Sequence, residues 1–66
     1  MTYNQMLDSL KRPPKFKSYG YRNGINGIII VYNGEPFFSD YIGWYHVLEK
    51  LKLEDLNADD WEIKEF

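Results

Sequence analysis

The chain has 66 residues, no cysteine and a formal net charge of −2 at pH 7. The absence of cysteine excludes disulfide bonds and a thiolate zinc site, and the lack of a basic excess argues against binding to duplex nucleic acid. A chain of this length fits one domain, residues 1–66, which buries only about 60% of the surface that its unfolded chain exposes. We therefore expect aromatic packing and assembly as a homo-oligomer to add stability.

The N-terminus predicts a soluble protein. It lacks a charged region followed by an apolar run, which an export signal needs. The longest apolar run, Ile28 to Tyr32, is far too short to cross a bilayer. We expect a cytoplasmic protein that does not associate with membranes.

The first predicted element is a helix from about Tyr3 to Lys11. Thr2 and Gln5 fit a capping box, in which the two side chains bond each other's backbone N–H groups. Pro13-Pro14 must end the helix, because proline restricts the residue before it and donates no N–H. One face of the helix is apolar at i, i+3, i+4 and i+7: Tyr3, Met6, Leu7 and Leu10.

Three strands follow. The first runs from Lys15 to Tyr21, and the second, from Ile28 to Tyr32, is β-branched and apolar on both faces. Such a strand is expected at the centre of a sheet, covered on both sides. Asn33-Gly34 then predicts a two-residue hairpin turn that leads into a strand from Glu35 to Ser39. Pro36 in that strand favours a position at the sheet edge.

A second helix is predicted after Asp40, its N-cap, because the following apolar residues recur at helical spacing. Gly43 lies within that pattern, at a cost of about 1 kcal/mol. Trp61 to Ile63 alternates and predicts a last short strand. The fold class is therefore α+β, a small antiparallel sheet of about four strands with an N-terminal helix and a second helix before the last strand. The apolar stripe of the second helix consists of Tyr41, Trp44, Tyr45, Val47, Leu48 and Leu51.

Residues for catalysis, cofactor binding or metal binding are sparse. The single histidine, His46, lies off the apolar stripe and is interpreted as a surface residue, not a base. Asp59-Asp60 are sequence neighbours whose side chains diverge in a turn, so they do not form a metal site alone. Gly20, Gly24 and Gly27 lack the spacing of a dinucleotide-binding loop. We expect no enzyme activity and no cofactor.

Residues 17–24 combine cations, tyrosines and a glycine-containing turn. Aromatic faces stack on bases, guanidinium groups match phosphate oxygens, and turn amides bind anions. These residues are therefore candidates for nucleotide binding. The alternative is that Tyr19 and Tyr21 are ordinary strand residues in a hairpin.

Residues 55–63, which read D-L-N-A-D-D-W-E-I, resemble the closing signature D-L-x-A-[DE]-D-W-[EQ]-[VI] of a family of small phage and prophage proteins. That family includes the Thoeris anti-defence proteins of the second type. Thr2-Tyr3 and Leu10-Lys11 are similar to its opening pattern. Tyr21 stands where the family commonly has Trp, and Ser18 stands near a common Arg.

The resemblance implies a small α+β protein that assembles as an oligomer in the host cytoplasm. It implies an anti-defence role, namely the sequestration of a cyclic nucleotide immune signal without cleavage. The signal would be a cyclic ADP-ribose isomer or a cyclic dinucleotide. One relative instead inhibits a CRISPR nuclease, so a protein-binding inhibitor of a host defence enzyme is the alternative. An enzyme that cleaves the signal is a third hypothesis.

The predicted ligand-binding residues follow from the segment and from the resemblance. Tyr19 or Tyr21 would stack on a base, Arg22 would contact phosphate, and Lys17 and Asn23 would support them. Strand alternation puts Lys17, Tyr19 and Tyr21 on one face of the strand. If the second helix buries that face, Ser18 and Arg22 would point to solvent without the aromatic residues.

Two further residues, Tyr41 and Trp44, would close the pocket from a neighbouring subunit. Trp61 is expected to anchor the core, with Asp60 fixing the turn before it.

Overall fold

A computed structural model describes residues 1–12 and 18–66. The predicted start of the first strand, including Lys17, lies outside the described residues. None of the helices in the described part of the chain is long and apolar enough to cross a membrane.

The first helix, α1, spans Tyr3–Lys11, as predicted. Its capping box is formed: the Gln5 backbone N–H donates to the Thr2 hydroxyl at 3.2 Å, and the Thr2 N–H donates to the Gln5 side chain at 2.9 Å. Met6 and Leu10 are its buried residues. The helix therefore packs through the apolar face that its sequence indicates.

Among the described residues, five antiparallel strands form one sheet in the order β4-β3-β2-β1-β5. This confirms the α+β class and adds a fifth strand to the four expected. The strands are β1 Ser18–Tyr21, β2 Ile28–Tyr32, β3 Glu35–Ser39, β4 Trp44–His46 and β5 Glu62–Glu65. Two short helices, α2 Val47–Lys50 and α3 Leu53–Leu56, lie between β4 and β5.

The hairpin between β2 and β3 is confirmed. Tyr32 pairs with Glu35, and the two residues between them, Asn33 and Gly34, have φ of 53° and 78°. Such left-handed conformations suit asparagine and glycine. The edge position expected from Pro36 is wrong for β3 as a whole, because β3 lies between β2 and β4. However, β4 pairs only with residues 37–39, so Pro36 lies beyond that ladder and its missing N–H costs no bond there.

The second helix predicted after Asp40 is wrong over its first half. Asp40 closes a tight loop: its Oδ1 accepts the backbone N–H groups of Ile42 at 2.8 Å and Gly43 at 3.0 Å. Trp44–His46 then forms β4, in which Tyr45 pairs with Phe38. Aromatic residues favour strands, and pairing with β3 overrides the helical spacing. Only Val47–Lys50 is helical.

The helices all contribute to one core on a single face of the sheet. Among the strand residues, Ile29 and Phe38 lie in this core and pair directly with each other. A side chain at Gly20, which pairs with Ile29, would collide with Met6, so glycine lets α1 approach β1. The buried apolar side chains of the core are Met6, Leu10, Ile29, Phe38, Val47, Leu51 and Trp61.

The predicted core role of Trp61 is confirmed. Trp61 is 1% exposed, and its ring meets the Tyr3 ring edge-on, with 5.5 Å between the ring centroids. Its Nε1–H donates to the Asp55 carbonyl at 2.9 Å. The indole thereby joins α1, α3 and the chain just before β5.

Candidate binding face

The sheet face opposite the core is named here the open face. Side chains alternate along a strand, so the residues between the core-facing positions point to this second face. Ile28 and Ile30 of the central strand are half-buried and do not belong to the core cluster. The prediction that β2 is central is confirmed, but the prediction that both its faces are covered is wrong within the described chain. The large side chains of the open face are Tyr19, Tyr21, Ile28, Ile30, Tyr32, Phe37 and Trp44.

An aromatic cluster occupies one end of the open face. The Trp44 ring lies 5.7 Å from the Tyr32 ring and 5.9 Å from the Phe37 ring, between centroids. Tyr32 and Trp44 are nevertheless 56% and 55% exposed. Trp44 was predicted to belong to the start of a helix, but it lies on edge strand β4. The cluster is thus a wide, partly exposed aromatic surface that β2, β3 and β4 hold in place.

The two tyrosines of β1 lie on the open face, as alternation predicts. The Tyr19 ring lies 4.9 Å from the Phe66 ring, and the Lys64 Nζ lies 4.8 Å from the centre of the Tyr21 ring. Lys64 was missed in the sequence, although its place in the alternating run after Trp61 puts it on the same face as Tyr19, its partner in the sheet register. Lys64 makes no ion pair among the described residues.

Arg22 does not join these tyrosines. Its guanidinium bonds the Asp60 carboxylate, with Nε 2.7 Å from Oδ1, and also bonds Asp55. The hydrogen bonds that Arg22 donates to Asp60 and Asp55 raise the pKa of Arg22 above its ordinary value and lower the pKa of Asp60. Asp60 therefore fixes the segment before Trp61 through Arg22. The guanidinium predicted to bind phosphate is already neutralised by two carboxylates.

A shallow groove of about 390 Å³ opens beside Tyr21 and brings it together with Tyr41. Both tyrosines were predicted to bind ligand, and the groove also includes Asp40, which was not. Tyr41 is fully exposed at the tip of the Asp40 loop. The backbone N–H groups of Gly43 and Ile42 lower the pKa of the Asp40 carboxyl, so this carboxylate is ionised at neutral pH. The groove is lined by Tyr21, Ile25, Asn26, Gly27, Ile28, Ser39, Asp40 and Tyr41.

The remaining predicted residues are spread out. Asn23 is exposed in the turn after β1, and Lys17 lies outside the described residues. His46 is exposed, and its Nδ1 accepts the Leu48 backbone N–H at 3.3 Å as the N-cap of α2. Within residues 1–12 and 18–66, no group of three or more His, Asp or Glu side chains is arranged to hold a metal ion.

No known protein family, no curated protein and no solved structure matches this chain. The inferences about its function therefore depend on its own residues, on their arrangement and on the resemblance of residues 55–63 described above.

Proposed function

We propose that this chain is a binding protein whose open face docks on the surface of a partner protein. The observation that supports this proposal is the exposure of the aromatic cluster. Large aromatic side chains held in place by a sheet lose little conformational entropy on binding, and Trp and Tyr are common anchors of protein interfaces. Trp44 lies on edge strand β4, and contacts with the rings of Tyr32 and Phe37 limit the conformational freedom that it would lose on binding.

The acidic charge of the chain favours a partner with a basic surface. The chain has a formal net charge of −2, and its strands present two exposed acids on the open face, Glu35 and Glu62, beside one lysine, Lys64. Complementary charge accelerates association and disfavours acidic partners. Through its resemblance to the phage family, the chain would act in the host cytoplasm on a basic defence enzyme, of which a CRISPR nuclease is an example.

A cyclic-nucleotide sponge is the second candidate. The observation that favours it is Lys64 above the Tyr21 ring, because a cation beside an aromatic face suits a stacked base and its phosphate. Since Arg22 is paired with carboxylates and the groove is shallow, a second copy of the chain would have to close the pocket in a homo-oligomer.

Two measurements separate these candidates. A thermal-unfolding screen against cyclic ADP-ribose isomers and cyclic dinucleotides detects a sponge, since a ligand at 100 times its Kd adds about 2.7 kcal/mol of stability. We expect no nucleotide in the panel to raise the unfolding temperature. Light scattering shows whether the expected homo-oligomer forms, as a particle larger than the 7.9 kDa of one chain. A stabilising nucleotide together with a larger particle would instead establish the sponge.

A further inference from the structure

We propose that the groove between Tyr21 and Tyr41 binds a guanidinium group, the side chain of an arginine on the partner protein. This inference depends on the proposed function and specifies the chemistry of the partner at one point of the interface. It is carried by the composition of the groove, by the Asp40 loop and by the absence of an ion pair at Asp40 among the described residues.

The composition of the groove favours a cation. Asp40 is the only charged residue among its eight lining residues, and the others are apolar or neutral. A phosphate in this groove would face a fixed carboxylate without a compensating cation in the lining. A cationic group would gain an ion pair there and lose none.

The Asp40 loop keeps that carboxylate in position. Its Oδ1 accepts two backbone N–H groups, whereas the described residues donate no hydrogen bond to its Oδ2. A carboxylate has about four acceptor sites, so several are left for a ligand. Lys50 is the cation whose charge acts on Asp40, but no ion pair within 4.0 Å joins them.

The tyrosines favour a planar cation. A guanidinium stacks on aromatic faces and donates two parallel hydrogen bonds to a carboxylate, which a lysine ammonium does not. Tyr21 is half-buried on its strand, and Tyr41 is fully exposed at the rim, where nothing in the described chain packs against it. Since the Lys64 Nζ already lies 4.8 Å from the centre of the Tyr21 ring, a guanidinium entering the groove would stack on the free Tyr41 ring and bond the Asp40 carboxylate.

The test is an NMR titration of the ¹⁵N-labelled chain with the peptide acetyl-Gly-Arg-Gly-amide. The citrulline peptide, which has the same shape without the charge, is the matched control. We expect the arginine peptide to shift the backbone amide resonances of Asn26, Gly27 and Gly43, and the citrulline peptide to leave these resonances unchanged. Equal shifts from both peptides, or none from the arginine peptide, would overturn the proposal.

Asp40→Asn removes the charge and retains an oxygen for the two backbone bonds, so the loop should persist. It should weaken binding of the arginine peptide about fivefold, the scale of an exposed ion pair. Glu35→Gln, which removes an exposed acid elsewhere on the open face, should bind like wild type. Unchanged affinity in Asp40→Asn contradicts the proposal.

The outcomes also separate this inference from the proposed function. A protein that docks on the aromatic cluster without any effect of Asp40→Asn would leave the function intact and refute the guanidinium site. A cyclic dinucleotide that shifts the same three amides would refute both.

Discussion

Replacing Trp61 tests whether residues 55–63 form part of the core or a binding site. The side chain is 1% exposed and contacts Tyr3, so Trp61→Ala removes a whole indole from a closed interior. Such truncations cost about 3–5 kcal/mol. A 66-residue domain has about 3–10 kcal/mol of stability in total, at roughly 0.05–0.15 kcal/mol per residue. We therefore expect Trp61→Ala to be largely unfolded.

Trp61→Phe separates the contribution of the indole hydrogen bond from that of aromatic packing. It keeps an aromatic ring against Tyr3 but removes the Nε1–H that donates to the Asp55 carbonyl. That carbonyl still accepts the Ala58 backbone N–H, so the change costs one hydrogen bond, about 0.5–1.5 kcal/mol. We expect this variant to fold with reduced stability. Urea unfolding followed by circular dichroism measures both variants. If Trp61→Ala unfolds cooperatively within about 1 kcal/mol of wild type, the reasoning is wrong and Trp61 belongs to a site.

Three further predictions concern the fold. Arg22→Ala should lower the thermal unfolding midpoint, because it leaves the buried Asp55 carboxylate without its guanidinium partner. Arg12→Ala, at an exposed position, should leave the midpoint unchanged. Equal midpoints in the two variants would contradict the structural role of Arg22. Because Arg22 lowers the pKa of Asp60, their bond stabilises the protein fully above the ordinary aspartate pKa of about 4. This stabilisation is lost as the pH falls through the folded-state pKa. The free energy of unfolding in urea should therefore fall less steeply with acid in Asp60→Asn than in wild type. Gly20→Ala should cost about 1–3 kcal/mol by overpacking Met6, whereas Gly43→Ala, with no atom within 4 Å of the added carbon, should be nearly neutral in the same urea assay.

Local sequence signals predicted much of the fold. The capping box at Thr2 and the turn at Asn33-Gly34 are decided by side chains only a few residues apart, so both could be predicted from the sequence. The residues after Asp40 fit a helical spacing, but Trp44–His46 also fits a strand. Pairing of Tyr45 with Phe38 decides between them, and that contact depends on the assembled sheet.

The candidate site was less predictable for the same reason. The shared face of Tyr19 and Tyr21 follows from alternation alone. Arg22 was assigned to a ligand because its carboxylate partners, Asp55 and Asp60, are 33 and 38 residues away in the chain. An ion pair over such a separation leaves no local signal in a single sequence.

Photo-crosslinking from the open face tests the central claim most directly. A benzophenone amino acid at position 37 lies within the aromatic cluster, and one at position 8 lies on the exposed side of α1 as the control. We expect position 37 alone to crosslink a host protein. Binding of that purified protein should then be weakened by about 2 kcal/mol or more in Trp44→Ala, the scale of an interface hot spot, and left unchanged in Leu53→Ala, at an exposed position on α3. Equal crosslinking from position 8, or wild-type affinity in Trp44→Ala, would contradict the proposal that the open face is the binding surface.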